Sequence, residues 1–441
     1  MSTQNDWDFG HTKIYPLTFQ SRGISFPEWV SLFTLALAPL IAHIIAGAPE
    51  PSYLCKRRPK WHERISHYNP TSILWRYAAI ADRRIRANAW DPSDMAASNA
   101  LFWTAEGWDG SEAMVDTSLP QCNQLPAKSR IRIFSVEMLK TLIVTLQGAQ
   151  AMTLIALGAA RTTSAQSVIS NMAVDFVFFP IALLGVLRLP AGLWLTEHFV
   201  YGASFTRLEE HNLQIYQHGS YVSKDGLLDS PAIVVENRRR FRPCTFWPSI
   251  LFRVFFTLFL LGLPTMLGVY ILPWAGAVRF TTTNFVVCMF YLMFTLATAA
   301  VFIRYLAVGA TSTVVPCINS VWYKAYTMML GILALGMIIV ACIETRKTPC
   351  GKYTSFSGSE GDLLACWSSN TEVWFLDPDR YHNFGIARTV PQEYDQGTLD
   401  SKDFWVYNFT GVCLGKPIDP TGQLVVMEAA NLGQMVSPEA T

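Results

Sequence analysis

Hydrophobic residues in this chain are grouped in long uninterrupted blocks, without the alternation of a half-buried strand or the stripe of an amphipathic helix. A bilayer core about 30 Å thick is crossed by roughly 20 helical residues at about 1.5 Å per residue. Blocks of this length predict an all-α membrane protein with six transmembrane helices. Pro180 and Pro190 fall inside the third block and predict a break there. The predicted spans are residues 28–47, 141–160, 171–193, 254–274, 284–303 and 325–343.

The connections between the predicted spans differ in positive charge, which orients a chain during membrane insertion. Lys and Arg number 22 in segments 48–140, 197–253 and 304–324, against 11 in the other connections and the two ends. This asymmetry predicts a cytoplasmic loop over 194–253 and an outer N-terminal segment over 1–27. Residues 304–324 are compatible with a plain loop and with a segment that dips back into the membrane.

The C-terminal segment, 344–441, is predicted to be a lumenal or extracellular tail. It carries 13 acidic and 7 basic residues, which is typical of a solvated region. Asn408 begins an Asn-Phe-Thr glycosylation sequon, which is used on the lumenal side, so we expect a glycoprotein. Cys350 and Cys366 are predicted to form a disulfide, because an oxidising compartment permits one.

The first predicted cytoplasmic segment, 48–140, is too long to be a plain connection. Residues 72–89 combine apolar positions at helical spacing with several arginines, which predicts an amphipathic helix. Asp91 precedes Pro92 and Asp94, as at a helix start, because an Asp side chain accepts hydrogen bonds from the first free backbone N–H groups. These signals predict a small cytoplasmic helical module.

Composition and motifs limit the chemistry of the chain. It is 51% hydrophobic and 15% charged, and 34 basic against 33 acidic residues leave a formal charge of +1, so we expect no nucleic-acid partner. The sequence contains no aspartate cluster for a metal-bound diphosphate, no Gly-x-Ser-x-Gly elbow and no Cys-x-x-Cys pair. We therefore predict neither a metal nor a cofactor. Asp175 and Glu197 are the candidate catalytic acids of an intramembrane enzyme.

Polar side chains inside the predicted spans are the strongest functional lead, because a charge buried in hydrocarbon costs several kcal/mol unless it is paired. His43, Gln147 and Arg188 lie about 6–9 Å from the inner boundary at about 1.5 Å per residue. Gln150 lies one turn deeper, so the four are predicted to line a polar binding pocket. Alternatively, Arg188 reaches the headgroups while the glutamines join neighbouring helices.

Two cysteines near the predicted membrane boundary adjoin basic clusters. Cys55 is followed by Lys-Arg-Arg, and Cys244 ends the run Arg-Arg-Arg-Phe-Arg-Pro-Cys. Such clusters suit anionic lipid binding and reversible lipidation of the cysteine. Ordinary basic anchors with incidental cysteines are the alternative.

Four stretches of the chain carry a family resemblance. They are YNPTSILWRY at 68–77, FW at 102–103, GWDGSE at 107–112 and LKTLIVTLQG at 139–148. Together they resemble a group of polytopic membrane proteins of filamentous fungi, and the likeness extends over most of the chain. It implies a multi-pass protein of the endoplasmic reticulum, other endomembranes or the plasma membrane. Some comparable proteins accompany secondary-metabolite gene clusters, which implies an accessory role in secondary metabolism and assigns no catalytic residue.

Three functions are compatible with the sequence. The first is a non-catalytic component that organises or supports a pathway, with membrane lipids and pathway enzymes or other membrane proteins as partners. The second is a carrier or channel for a small amphipathic molecule, built on the polar pocket. The third is an intramembrane enzyme, for example a cyclase, acting on a hydrophobic substrate. The first is our main hypothesis, because the catalytic signatures sought above are missing.

Overall fold

The computed structural model describes residues 7–9, 12–160, 172–202, 240–271, 278–348 and 351–357. The predicted sites at Asn408, Cys350 and Cys366 lie outside them. The protein is mostly helical, at 62%. Its α-helices are α1 (Phe26–Gly47), α2 (Trp61–Arg64), α3 (Pro70–Arg86), α4 (Pro92–Asn99), α5 (Met114–Thr117), α6 (Val136–Ala160), α7 (Trp247–Ile271), α8 (Thr282–Ala307) and α9 (Val321–Glu344). The 3₁₀ helices are Ile65–Tyr68, Leu119–Gln121, Val174–Phe176 and Phe179–Trp194.

Short strands form small sheets beside the helices. The strands are β1 (Trp7–Phe9), β2 (Thr12–Ile14), β3 (Pro51–Tyr53), β4 (Leu101–Thr104), β5 (Gly107–Asp109), β6 (Cys122–Gln124), β7 (Val200–Tyr201), β8 (Val278–Phe280), β9 (Arg346–Lys347) and β10 (Tyr353–Thr354). One sheet has the order β1-β2-β8 with β2 and β8 parallel, and another has the order β3-β4-β5 with β3 and β4 parallel. Strand β6 pairs with β7, and β9 pairs with β10, both antiparallel.

Among the described residues, five helical segments are long and apolar enough to cross a membrane. They coincide with five of the predicted spans. The remaining predicted span, 141–160, lies within α6, which is not among the five, so the count of six stays a prediction. The boundaries differ most at α7, which begins at Trp247 rather than at 254. The five segments are α1, Val174–Trp194, Trp247–Gly268, α8 and α9.

The segment Val174–Trp194 is the most enclosed of the five, since 61% of its most apolar 18-residue stretch is buried. Where Pro180 and Pro190 predicted a break, the chain runs as one 3₁₀ helix from Phe179 to Trp194. With about three residues per turn, residues three apart lie on one face. That face packs against α6. It carries the small residues Ala182, Gly185 and Ala191 and the buried Arg188.

The contact between this 3₁₀ helix and α6 depends on small residues. A methyl group added at Gly148 of α6 would lie 2.6 Å from the carbonyl oxygen of Ala182, which no real side chain tolerates. Glycine therefore lets the two backbones approach closely, as in other contacts between apolar helices. This packing fixes the depth and rotation of Arg188.

The connecting segments gather at two ends of the helical bundle. At one end, the Asn88 N–H donates to the Arg240 carbonyl at 2.9 Å, and the Thr313 N–H donates to the Gly110 carbonyl at 2.9 Å. We call this the module end. At the opposite end, the Gln20 N–H donates to the Ile343 carbonyl at 2.9 Å. The predicted topology, including the side of the membrane that each end faces, stays a prediction.

The sequence predicts a helical module. The structure differs, because the sheets β3-β4-β5 and β6-β7 also lie at the module end. Asp91 caps α4 as predicted, because its carboxylate accepts from the Asp94 N–H at 2.8 Å. The Asp94 carboxylate in turn accepts from the Asp91 N–H at 3.0 Å. Residues 308–320 form a loop against the module, where the Trp75 indole N–H donates to the Ser312 carbonyl at 2.9 Å.

Helix α3 lies at the centre of the junction between the module and the long helices. The predicted amphipathic helix over 72–89 is present, but it begins at Pro70 and ends at Arg86. Its polar side chains are buried together with its apolar ones, so it has no solvated face. The buried charged residues are Arg76, Asp82, Arg83 and Arg86. Charged groups inside a junction require partners, and these define the candidate site.

Candidate functional site

The predicted polar pocket is only partly assembled. His43 of α1 and Arg188 of the 3₁₀ helix both face Tyr77 of α3: the His43 and Tyr77 rings lie 6.4 Å apart edge to face, and Arg188 donates to the Tyr77 hydroxyl at 3.1 Å. Gln147 is half-buried and Gln150 is exposed on the far side of α6. The structure thus brings His43 and Arg188 together and leaves Gln150 on the surface.

Arg188 is 2% exposed, and its donors are used inside the protein. Its Nε donates to Thr141 Oγ1 at 2.9 Å, and Nη1 donates to the carbonyl of Ala46. Arg76 also binds the end of α1, because its Nη1 donates to the carbonyl of the next residue, Gly47, at 2.7 Å. Because the last carbonyls of a helix have no partners of their own, the two arginines complete the end of α1.

We call Arg76, Tyr77, Thr141 and Arg188 with the carbonyls that end α1 the helix-end cluster. Arg76 also donates from Nη2 to the side chain of Asn99 at 3.0 Å. Among the described residues, no carboxylate forms a hydrogen bond with either arginine. Burial therefore lowers the pKa of Arg76 to about 10, with the nearby charge of Arg188 adding to the effect.

A second group of buried charges, the carboxylate cluster, is organised by Asp82 of α3. Its carboxylate accepts from Arg86 Nε at 2.9 Å, from Arg253 Nη2 of α7 at 2.7 Å and from the Ser249 hydroxyl. Arg86 also reaches Glu112 in the module. Burial alone would raise the pKa of Asp82, but the bonds and charge of Arg253 hold it below the usual value. The cluster ties α3, α7 and the module together.

The two candidate catalytic acids lie at opposite ends of the segment Val174–Trp194. Asp175 is half-buried at its start, and its Oδ1 has no partner among the described residues. Glu197 is exposed just beyond its end and accepts from Lys140 Nζ at 2.8 Å. At about 2 Å per residue of 3₁₀ helix, roughly 40 Å separates them. They cannot act on one substrate atom.

His67 is buried at the module end, against the rings of Tyr68 at 3.9 Å and Trp108 at 5.3 Å. Neither ring nitrogen has a partner among the described residues. His67 and Arg76 line an internal cavity of about 10 Å³, which suffices for one water molecule. Burial, with Arg64 nearby, lowers the pKa of His67 to about 4.

A much larger cavity, of about 460 Å³, opens between α1, the 3₁₀ helix, α8 and α9. Its volume falls in the range of small-molecule sites. Polar groups lie at the module end of the cavity, where Asn69 Nδ2 donates to Thr327 Oγ1 at 2.8 Å. No charged side chain is among the described residues that line it. The lining residues are Leu40, Ile65, Tyr68, Asn69, Pro70, Phe178, Ile181, Phe290, Tyr291, Phe294, Thr327, Met328, Leu330, Gly331, Ile332, Ala334 and Leu335.

The cavity is elongated along the helices. Its wall on α9 runs from Thr327 to Leu335, eight residue steps or about 12 Å at about 1.5 Å per residue. Aromatic rings of α8, together with Phe178 just before the 3₁₀ helix, form the deeper part. A molecule that fits this shape has a hydrocarbon body and one polar end, and the polar end faces the module.

The two candidate lipidation sites have different surroundings. Cys244 lines a groove of about 440 Å³ between α7 and α8, next to Arg253. Cys55 is half-buried, and its thiol donates to the Arg57 carbonyl at 3.3 Å. Lipidation of both stays a prediction. In the part of the chain that the structure describes, no three His, Cys, Asp or Glu side chains form a metal-binding group.

Comparison with known proteins assigns the chain to no family. No protein-family model, no curated protein and no solved structure matches the chain. The resemblance to fungal polytopic proteins stays an expectation.

Proposed function

We propose that this protein is a non-catalytic, multi-pass membrane protein that binds an amphipathic molecule between its helices. The observation that carries the proposal is the cavity of about 460 Å³, with apolar walls and a polar module end. Such pockets are the usual form of a small-molecule site. The binding role joins our main hypothesis of a supporting component to the second hypothesis of a carrier for an amphipathic molecule.

Exposed tryptophans support a position in a membrane. Trp61, Trp247 and Trp322 are 66%, 68% and 52% exposed, and all lie near the module end of the long helices. Tryptophan is enriched at the boundary between lipid and water because its ring is apolar and its N–H is polar. The three rings support a bilayer boundary at the level where the cavity begins.

The state of the charged groups supports a role without catalysis. The arginines of the helix-end cluster and Asp82 of the carboxylate cluster are held by internal partners, so they contribute to folding. Asp175 and Glu197 are too far apart to cooperate. If the fungal resemblance holds, the ligand is a lipophilic precursor or product, and the protein supports the enzymes that use it.

Photolabelling tests the proposal. The probe is a long-chain alcohol carrying a diazirine, and the readout is its attachment to peptides of α8 and α9 in the purified full chain. Gly331 lines the cavity, and a Cβ added there meets no atom within 4 Å, so Gly331→Phe is the substitution chosen to place a ring in the cavity. Gly336 of the same helix also has open space around it and does not line the cavity.

We expect Gly331→Phe to reduce the labelling of these peptides on the order of tenfold, while the control variant Gly336→Phe is labelled like the wild type. Equal labelling of the two variants would show that the probe binds elsewhere and would contradict the proposal. Thermal melting of each variant confirms that it is folded.

A further inference from the structure

The module end of the cavity adjoins a strip of exposed positive charge, which we call the basic strip. It contains Arg57, Lys60 and Arg64, whose side chains are all exposed. Trp61, 66% exposed, lies among them. Within positions 57–64, the acidic residue Glu63 accepts from the Lys60 backbone N–H at 2.8 Å and pairs with Lys324 at 3.4 Å. The strip therefore presents net positive charge at the level of the proposed membrane boundary.

The basic strip continues directly into the cavity wall. Ile65 follows Arg64 and lines the cavity, as do Tyr68 and Asn69 one turn further on. On the opposite wall, Lys324 precedes the lining residue Thr327 by one turn of α9. Lys324 is paired with Glu63, so the cations of the basic strip are the ones left beside the polar end of a cavity whose described lining carries no charge.

We infer that the ligand is an anionic phospholipid, with its hydrocarbon in the cavity and its phosphate against the basic strip. This inference rests on the proposed function and names the class of its ligand. An uncharged lining excludes the headgroup from the cavity, because an unpaired charge there would lose its hydration. At the mouth, the same charge meets Arg57, Lys60 and Arg64, which complement a phosphate.

The predicted orientation agrees with this assignment. The positive-charge asymmetry of the connections predicts that the module end faces the cytoplasm. Cytoplasmic leaflets are rich in anionic lipid, which attracts basic residues close to the membrane surface. A lipid could therefore enter the cavity sideways from that leaflet with its headgroup already at the level of the strip.

Photoactivatable phosphatidylserine and phosphatidylcholine with the same diazirine acyl chain test the inference on the full chain in nanodiscs. We expect stronger labelling of the α8 and α9 peptides by phosphatidylserine, on the order of tenfold. The variant R57Q/K60Q/R64Q should lose this preference and keep its labelling by phosphatidylcholine. Millimolar inorganic phosphate should leave the labelling unchanged, because the acyl chains supply most of the binding.

A matched control separates a defined site from general attraction to a charged membrane. Lys128, Arg130 and Arg132 are exposed on the module and also carry three positive charges. We expect K128Q/R130Q/R132Q to keep the preference for phosphatidylserine. An equal loss in both triple variants would overturn the inference, since it would indicate surface electrostatics alone. Competition by inorganic phosphate would also overturn it, in favour of a soluble phosphate ligand.

The failure of the inference and that of the proposed function give different results. If the wild type labels equally with both lipids and Gly331→Phe abolishes both signals, the cavity binds lipid without regard to charge. The inference then falls and the proposed function stands. If Gly331→Phe changes neither signal, the cavity is not the site, and both fall.

Discussion

The helix-end cluster and the carboxylate cluster solve the same problem in different ways. Each buries arginines at the junction between the module and the long helices, through the same helix α3. In the carboxylate cluster, Asp82 gives Arg86 and Arg253 a full negative charge. In the helix-end cluster, Arg76 and Arg188 receive only the partial charges of carbonyls and hydroxyls.

The difference decides which residue is indispensable in each cluster. A buried ion pair gains little net stability, but removing one partner leaves a charge without compensation. A guanidinium held by carbonyls has no single counter-charge, and removing it leaves neutral acceptors that each lose one bond. The carboxylate cluster should therefore be sensitive to loss of its anion, and the helix-end cluster to any added positive charge.

The largest effect is expected from Asp82→Asn. The amide keeps the shape of the side chain but leaves Arg253 and Arg86 without their shared anion, at a cost of about 3–5 kcal/mol. Thermal or urea unfolding in detergent micelles measures the loss. Asp116→Asn is the control, because Asp116 pairs with Arg240 at 3.1 Å but is 67% exposed, and such pairs contribute about 0–1 kcal/mol. Similar losses in both variants would contradict the comparison.

Acidification tests the buried histidine beside the helix-end cluster, His67, which shares a small cavity with Arg76. The pKa of His67 is lowered from 6.5 to about 4. As the pH falls below 6.5, the unfolded chain binds a proton that the folded chain rejects, so stability is complete above this pH and declines toward 4. At about 1.4 kcal/mol per pKa unit, the decline approaches roughly 3 kcal/mol.

Unfolding measured between neutral pH and about pH 4.5 should therefore show a smaller loss of stability in His67→Phe than in the wild type. Phenylalanine preserves the ring contacts with Tyr68 and Trp108 and removes the titrating group. Parallel pH profiles for the two proteins would show that His67 does not carry the effect.

The long helices could be predicted from the sequence because hydrophobic length is a local property. The depths of His43 and Arg188 could also be predicted, since helical rise converts residue number into distance. The direction of Gln150 could not, because it depends on which face of α6 packs. The small residues Ala182, Gly185 and Ala191 are separated by multiples of three, which is a signal for the 3₁₀ helix that the prediction from hydrophobic length does not use.

The partners of α3 could not be predicted, because they come from distant parts of the chain. Asp82 meets Arg253, and Asn69 meets Thr327, across 171 and 258 positions of sequence. Taken alone, the sequence of α3 predicts an amphipathic helix. Its polar face is buried because distant parts of the chain pack over it. The cavity likewise results from the spacing of four helices, which no local pattern records.

A smaller effect is expected from Arg188→Met. Methionine fills much of the space without charge, so the loss consists of hydrogen bonds to Thr141, Tyr77 and the end of α1, at about 2 kcal/mol in total. Unfolding under the conditions used for Asp82→Asn ranks the two clusters directly. A loss larger than that of Asp82→Asn would refute our distinction between them.

The smallest effect is expected at Asn69, which links α3 to the cavity. Its side chain accepts from the Thr71 N–H at 2.9 Å and so caps α3, and Asn69→Ala should cost about 1 kcal/mol. Asn69→Asp retains the cap but loses the bond to Thr327 and adds a negative charge at the mouth of the cavity. Because Asn69 is buried, the new carboxylate would have little water around it, so the aspartate variant should also lose stability at neutral pH and regain it on acidification, when the carboxylate is protonated. It should lose labelling by phosphatidylserine more than labelling by phosphatidylcholine. If Asn69→Ala is as stable as the wild type, Asn69 does not act as a cap. If labelling by both lipids is unchanged in the aspartate variant, the polar end of the cavity is not where the headgroup lies.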